Sequence, residues 1–370
     1  MKLFPALEKA YTHESLNARE AQRLAQFIAF GPIVFQVSRL MVRFGILELL
    51  RDRGDTGMTI GELAAETDLS EYAVRVLMEA SLSIGTVLVD PASDRFTLSK
   101  TGWFLLTDAS TRVNLDFNHD VNYEGLFRLE ESLRQGRPAG LAHFGPWPTV
   151  YEGLSQLPEE VQRSWFAFDH FYSDHSFDEA LQVIFSRPVR RLLDVGGNTG
   201  RWALRCVAHD PEVEVTVADL PQQIGMMRTR TAGHEGADRI HGYGCNLLDP
   251  QTEFPKDGPY DAIWMSQFLD CFGEEEIRSI LGRAARIMEE ETRLYIMETF
   301  WDRQKYETAA LCLTLTSLYF TAIANGNSKM YHSEQMQRLV DEAGLEVEHM
   351  DDFLGWGHSI MTCRKKNNKH

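Results

Sequence analysis

Two acidic side chains at the ends of apolar runs carry the clearest chemistry in this chain. In Arg191-Leu-Leu-Asp-Val-Gly-Gly-Asn-Thr-Gly200, the residues Leu192, Leu193 and Val195 read as a buried strand with Asp194 near its end. Gly196, Gly197 and Gly200 form a tight turn that a ligand can approach closely. Trp202-Ala-Leu then opens a helix whose first N–H groups face back toward the turn. This layout makes a nucleotide pocket at the carboxyl end of the first strand of a doubly wound sheet. Glu214-Val-Thr-Val-Ala-Asp219 reads as the second strand. Its Asp219 stands about 20 residues beyond the glycines, where a carboxylate takes ribose hydroxyls.

A dinucleotide would call for G-x-G-x-x-G and would rest its pyrophosphate on the helix N-terminus. Asp194, just ahead of the glycines, would repel that group and suits a cation. S-adenosylmethionine, with its sulfonium and ammonium, fits better.

Further acids follow. Phe268-Leu-Asp-Cys-Phe-Gly-Glu-Glu-Glu276 places Asp270 after the fourth strand, and Glu298 ends the fifth. An ordinary aspartate, with a pKa of about 3.9, is a poor base toward a phenol of about 10. Burial raises the carboxyl pKa and improves it. His332, in Lys329-Met-Tyr-His-Ser-Glu, is a second candidate base, beside His170 and His358. Asp270 also stands just before a helix start, where a carboxylate caps.

From Leu192 to Arg364 the chain resembles the class I S-adenosylmethionine-dependent methyltransferases, and more narrowly the two-domain small-molecule O-methyltransferases. The resemblance rests on Asp194-Val-Gly-Gly-Asn-Thr-Gly200 and on the order of the later segments. It implies that Asp194, Gly196, Gly197 and Gly200 shape the loop beside the methionine part of the cofactor. Asp219 with Leu220 would hold the ribose. Asn246 and Leu247 would lie at the adenine, with Asn246 standing where the family has an aspartate. Ser266 and Gln267 would sit under the purine edge, Ser266 replacing a frequent lysine. Ser176 matches a serine that touches the methionine carboxylate.

At the reacting end the chain departs from the family. Asp270 occupies the position of the family's catalytic histidine, and Glu298 matches its second acid. The third acid falls at Met330 and is lost, with His332 two residues away.

The implied activity is methyl transfer to an aromatic, phenolic or hydroxyaryl small molecule, free or held on a carrier protein, with oxygen the favoured atom. Loss of the histidine keeps C-methylation of a hydroxyaryl ring open. Met265-Ser-Gln-Phe-Leu-Asp-Cys-Phe272, Met297-Glu-Thr-Phe-Trp-Asp-Arg-Gln304 and Asn325-Gly-Asn-Ser-Lys-Met-Tyr-His332 resemble a bacterial subgroup of pigment and polyene biosynthesis.

The elements that must position these residues alternate. Strands are expected at 191–195, 213–218, 239–243, 260–265 and 293–298. An apolar helix is expected at 308–324, with a closing strand pair at 345–350 and 358–363. The expected fold is α/β: a Rossmann-like, doubly wound, mostly parallel sheet behind a helical N-terminal winged-helix dimerisation domain. The expected division is 1–110 for the N-terminal domain, 111–185 for a helical connector and pocket wall, and 186–366 for the catalytic domain. In the connector, Trp147, Tyr151, Trp165, Phe166, Phe168, Phe171, Tyr172 and Phe177 are clustered. Trp147, Phe166, His170 and Tyr172 are the candidates for the pocket.

The N-terminal part reads as helical over 1–37, with a helix over 39–50, a helix capped by Thr59 with Glu62 as a capping box, and a helix over 71–84 capped by Ser70 and ended by Gly85. A wing over 86–98 follows. A winged helix raises the possibility of a nucleic-acid-binding regulator that takes S-adenosylmethionine as a ligand. Between residues 38 and 100, however, acids outnumber bases, and phosphate contact needs a basic face. By resemblance the module forms a homodimer.

The chain of 370 residues carries a formal net charge of −17, which disfavours nucleic acid or an anionic membrane as partner. No run of 18 apolar residues is evident, so no transmembrane helix is expected. Five dispersed cysteines without a C-x-x-C pair point to a reducing, cytoplasmic setting and no metal site. The tail 364–370 is expected to be solvated.

Overall fold

The computed structural model describes residues 1–366. It divides the chain into two compact units, one of Glu14–Asp120 and one of Met1–His13 with Val121 onward. The division differs from the expected boundary at residue 110. The first helix, Pro5–Thr12, belongs with the larger unit. Phe4 N donates to Asp302 O at 3.3 Å, and the Arg303 guanidinium lies over the Phe4 ring.

In the smaller unit the capping expectations hold. Thr59 and Glu62 form a reciprocal capping box on Ile60–Glu66. Ser70 caps Glu71–Ile84, and Gly85 ends that helix at φ +92°. Strands β1 (Val87–Asp90) and β2 (Arg95–Leu98) pair antiparallel as the wing. The helices before them break more often than expected. The chain forms Ala18–Ala29, Gly31–Arg43 and Ile46–Arg53. Gly45, at φ +71°, makes the last of these breaks in a left-handed conformation.

In the larger unit β3 (Arg191–Val195), β4 (Glu214–Asp219), β5 (Ile240–Gly244), β6 (Ala262–Ser266), β7 (Arg293–Glu298), β8 (Leu345–Leu354) and β9 (His358–Lys365) form one sheet of order β5-β4-β3-β6-β7-β9-β8. The first five are parallel, and β9 runs antiparallel to β7 and to β8. After β5 the chain returns to the far side of β3, so the order reverses between β3 and β6. Ligands bind at such a switch point, outside the carboxyl ends of the strands.

Alternate strand residues pack on opposite faces. Leu193, Ile263, Met265 and Ile296 meet the helices Glu274–Ile287 and Ser333–Glu342. Leu192, Val217, Trp264 and Met297 meet Phe177–Ile184, Arg201–His209 and Pro221–Thr231.

Residues 307–324 form one continuous helical run, Glu307–Tyr319 continued by the wider turn Phe320–Ala324. This run is long and apolar enough to cross a membrane, although 39% of it is buried in the fold. It is not an unbroken apolar run, because Thr314, Thr316 and Thr321 interrupt its sequence. Each of these hydroxyls bonds to a carbonyl one turn back, which hides its polarity. One expectation is corrected here, that of a loose tail. Arg364 and Lys365 are not loose but pair with Glu346 and Leu345 in the β8–β9 ladder. Residues 367–370 lie outside the described residues.

Candidate active site

The loop after β3 is built from backbone hydrogen bonds. Gly196 N donates to Ala218 O at 2.9 Å, and Gly200 N to Gly197 O at 2.9 Å. Gly196 sits at φ +76°, and a Cβ there would lie 2.3 Å from the Phe268 ring; a Cβ on Gly197 would lie 2.3 Å from Asp194 Oδ2. Gly200, at φ +80°, starts the Arg201–His209 helix. Only glycine permits this cradle.

Asp219 clamps the loop from the end of β4. Its Oδ2 accepts from Asn198 N at 2.8 Å and its Oδ1 from Leu220 N at 2.7 Å. Asp194 is 2% exposed. Burial, and then the neighbouring Asp219, push its carboxyl up to about 8. Burial likewise raises Asp219.

The segment after β5 carries Asn246 and Leu247. Asn246 is exposed, and its Oδ1 accepts from Leu248 N at 3.0 Å in a local turn. Leu247 is buried. The segment is held by Arg283, which sequence reasoning missed. Arg283 is 2% exposed and donates to the carbonyls of Leu247, Asp249 and Thr252 at 2.5, 3.1 and 2.8 Å. A cation on the apolar face of the Glu274–Ile287 helix, beside Ile280 and Ala284, was the available signal.

Ser266 ends β6, half-buried. Gln267 follows at φ +45°, with its N donating to Met297 O at 2.9 Å. Ser176 is fully buried, with its Oγ 3.2 Å from His358 Nδ1. Burial drives the His358 pKa down to about 3, which leaves it too weakly basic to take a phenol's proton.

At the other end, Asp270 lies in the short turn Leu269–Cys271 and is 5% exposed. Glu298 sits beneath that turn. Its Oε1 accepts from Phe268 N at 3.2 Å and Leu269 N at 2.9 Å, so it fixes the backbone that carries Asp270. Burial raises Asp270 to about 7, opposed by the Cys271 thiol and reinforced by Asp169. Burial and Asp270 hold Glu298 well above its usual range. Asp169 comes from the Glu159–Ser173 helix, whose Trp165 Nε1 donates to Tyr319 OH at 2.7 Å. Neither Asp169 nor Tyr319 was singled out from sequence.

His332 has another task. It caps the Ser333–Glu342 helix, with Nδ1 accepting from Glu334 N at 3.1 Å and Nε2 set 3.1 Å from Lys2 O. Both ring nitrogens are taken by backbone, so the expected base role is corrected to a structural one. Of the pocket candidates, Trp147 packs its ring against Gly145 and Gly153. Phe166 stacks on His170, and Tyr172 packs on Phe168.

Among the described residues, the buried polar atoms without a well-formed hydrogen bond include Asp194 Oδ2, Asn198 Oδ1, Gln267 Oε1, Glu298 Oε2, His358 Nε2 and Tyr151 OH. Each such atom costs about 1–3 kcal/mol. Their concentration on the loops after β3, β6 and β7 and on the facing helices marks where a ligand completes the structure.

Residues 162–346 match the O-methyltransferase domain family, and residues 22–96 match the Dimerisation2-like domain. The chain is 24% identical over 353 residues to demethylspheroidene O-methyltransferase of Rhodobacter capsulatus, spanning 93% of this chain and 82% of that one. Among solved structures, the apo form of the S-adenosylmethionine-dependent methyltransferase SibL aligns with a TM-score of 0.69 at 23% identity, over 92% of this chain and 98% of that one. NcsB1 of neocarzinostatin biosynthesis, solved with S-adenosylmethionine and 2-hydroxy-5-methyl naphthoic acid, aligns with a TM-score of 0.64 at 18% identity, over 90% and 96%.

Proposed function

Because the chain belongs to the two-domain S-adenosylmethionine-dependent O-methyltransferase family, we propose that it methylates the hydroxyl oxygen of an aromatic small molecule, with Asp270 as the proton acceptor. The carrying observation is the cluster of unpartnered buried polar atoms around the carboxyl edge of the sheet.

The residues fit the cofactor. Asp194 Oδ2 is an orphaned carboxylate oxygen beside a glycine cradle that a Cβ would fill, and it suits a cationic amino-acid end. Asp219 keeps lone pairs for ribose hydroxyls beyond its two backbone bonds. Ser176, Asn198 and Gln267 complete the set, with Leu247 and Ser266 beside the base. When bound, S-adenosylmethionine supplies an electrophilic methyl group on a sulfonium.

The chain's own residues supply the proton chemistry and the alignment. Asp270, held near neutrality by burial, is a far better match to a phenol than a solvated aspartate. Glu298 orients it through the two N–H groups of the preceding turn. A hydroxyaryl acceptor is also bound in NcsB1.

The homodimer is part of this reading. Leu24, Phe27, Ile28, Phe30 and Ile33 are exposed on the first helices of the smaller unit, an apolar face suited to a second copy.

The test is incubation with methyl-labelled S-adenosylmethionine and a panel of hydroxyaryl compounds, with products resolved by carbon NMR. A labelled methoxy carbon is expected. A labelled ring methyl would move the reaction to carbon, and no transfer to any hydroxyaryl compound would contradict the reading.

A further inference from the structure

Tyr151 lies on the short helix Val150–Gly153. The Trp147 ring holds this helix in place, because it packs so closely that a Cβ on Gly153 would lie 2.3 Å from it. The Tyr151 hydroxyl is sealed from solvent and makes no well-formed hydrogen bond among the described residues, its weak contact being with the Cys271 thiol. Its electrostatic neighbours are Cys271, Tyr319 and Asp270. None of them satisfies it. Tyr319 OH already receives the Trp165 indole N–H at 2.7 Å. The Cys271 thiol is set 3.5 Å from Asp270 Oδ1, and sulfur is a weak acceptor. A buried phenol with no stronger partner than a thiol therefore lies within electrostatic reach of the proposed base.

We propose that Tyr151 is a catalytic residue of the acceptor site, its hydroxyl donating a hydrogen bond to the oxygen that is methylated. The inference rests on the hydroxyaryl reading above. As the acceptor O–H bond breaks, the proton goes to the Asp270 carboxylate and the electron pair stays on oxygen. That pair forms the new bond to the methyl carbon as the carbon–sulfur bond breaks. A fixed donor aimed at the oxygen stabilises the charge that develops there. Asp169, Asp270 and Glu298 are all acidic, so Tyr151 also offsets the repulsion that these carboxylates exert on a phenolate.

The test compares the wild-type chain with Tyr151→Phe, each saturated with S-adenosylhomocysteine and titrated with 4-nitrophenol. The visible absorbance of the bound phenolate is followed against pH. The bound phenol is expected to ionise about one pH unit lower in the wild type than in Tyr151→Phe. S-adenosylhomocysteine affinity should be equal in the two proteins, and the variant should melt no lower, because it loses a hydroxyl with no stronger partner than a thiol. Equal ionisation in both proteins, or a variant that melts lower, would overturn the inference while leaving the hydroxyaryl reading intact. A wild type that binds S-adenosylhomocysteine but takes up no phenol would overturn both.

Discussion

The two ends of the candidate site are made in opposite ways. The cofactor end is local: Asp194 to Gly200 and Asp219 to Leu220 form two short segments on adjacent parallel strands, tied by Asn198 N, Leu220 N and Gly196 N. The acceptor end gathers Tyr151, Asp169, Asp270, Glu298 and Tyr319 from five segments. Its carboxylates are held by burial and by one another, and Glu298 is fixed by two backbone N–H groups. A cradle made of backbone fixes one ligand, whereas side chains borrowed from distant helices can be exchanged to suit another acceptor or another base.

The largest effect should come from the clamp between the two cofactor strands. Asp219→Ala removes two charge-assisted bonds and the ribose partner. S-adenosylhomocysteine affinity should fall about 100-fold or more, at about 1.5–3 kcal/mol for each bond to a charged group. Calorimetry measures this, and 4-nitrophenol uptake by the variant should persist if the two ends are independent.

A smaller loss is expected on replacing Arg283, which ties the Leu247–Thr252 segment to the Glu274–Ile287 helix. Arg283→Met should weaken S-adenosylhomocysteine about tenfold, or about 1.4 kcal/mol. An unchanged affinity would detach that segment from the cofactor.

The remaining effect leaves cofactor affinity aside and appears as a slope of stability against pH. The Asp194 carboxyl is raised to about 8 in the folded chain from an ordinary 3.8. Between those values the unfolded chain has lost the proton and the folded chain keeps it. Stability of the ligand-free protein therefore falls as pH rises from about 4 toward 8, by up to about 1.4 kcal/mol per pH unit from this group. Asp219, Asp270 and Glu298 are raised as well and act in the same direction. Melting temperatures of wild type and Asp194→Asn across that range isolate the contribution, and parallel curves would contradict it.

Much of the sheet was legible because buried parallel strands read as short apolar runs bounded by turn residues. Glu214–Asp219, for example, is displaced by only one residue from the expected 213–218. Helix breaks were less legible. Gly45 interrupts what reads as one periodic helix, because a single left-handed glycine leaves the surrounding apolar spacing intact. The glycine cradle could be read because its residues are neighbours in sequence.

Arg283, Asp169 and Tyr319 could not be found in that way, since tertiary packing brings them to the site from far along the chain, and Tyr151 stood in the connector's aromatic cluster without a signal to set it apart from its neighbours. His332 misled for the converse reason. It is near the lost acid in sequence, but its ring is consumed by a helix cap and by Lys2 O. The Gln335 three residues on, which completes the capping box, was the signal for that task.

The central claim is that a buried aspartate has taken over from the family's histidine. Its most direct test is the pH dependence of kcat for methyl transfer to a hydroxyaryl acceptor in wild type and Asp270→Asn. In the wild type kcat should rise through about 7, the pKa to which burial lifts Asp270, and level off above it. The asparagine variant should lose about 100- to 10,000-fold and the inflection with it. A variant that keeps both the rate and the inflection would show that the proton leaves by another route.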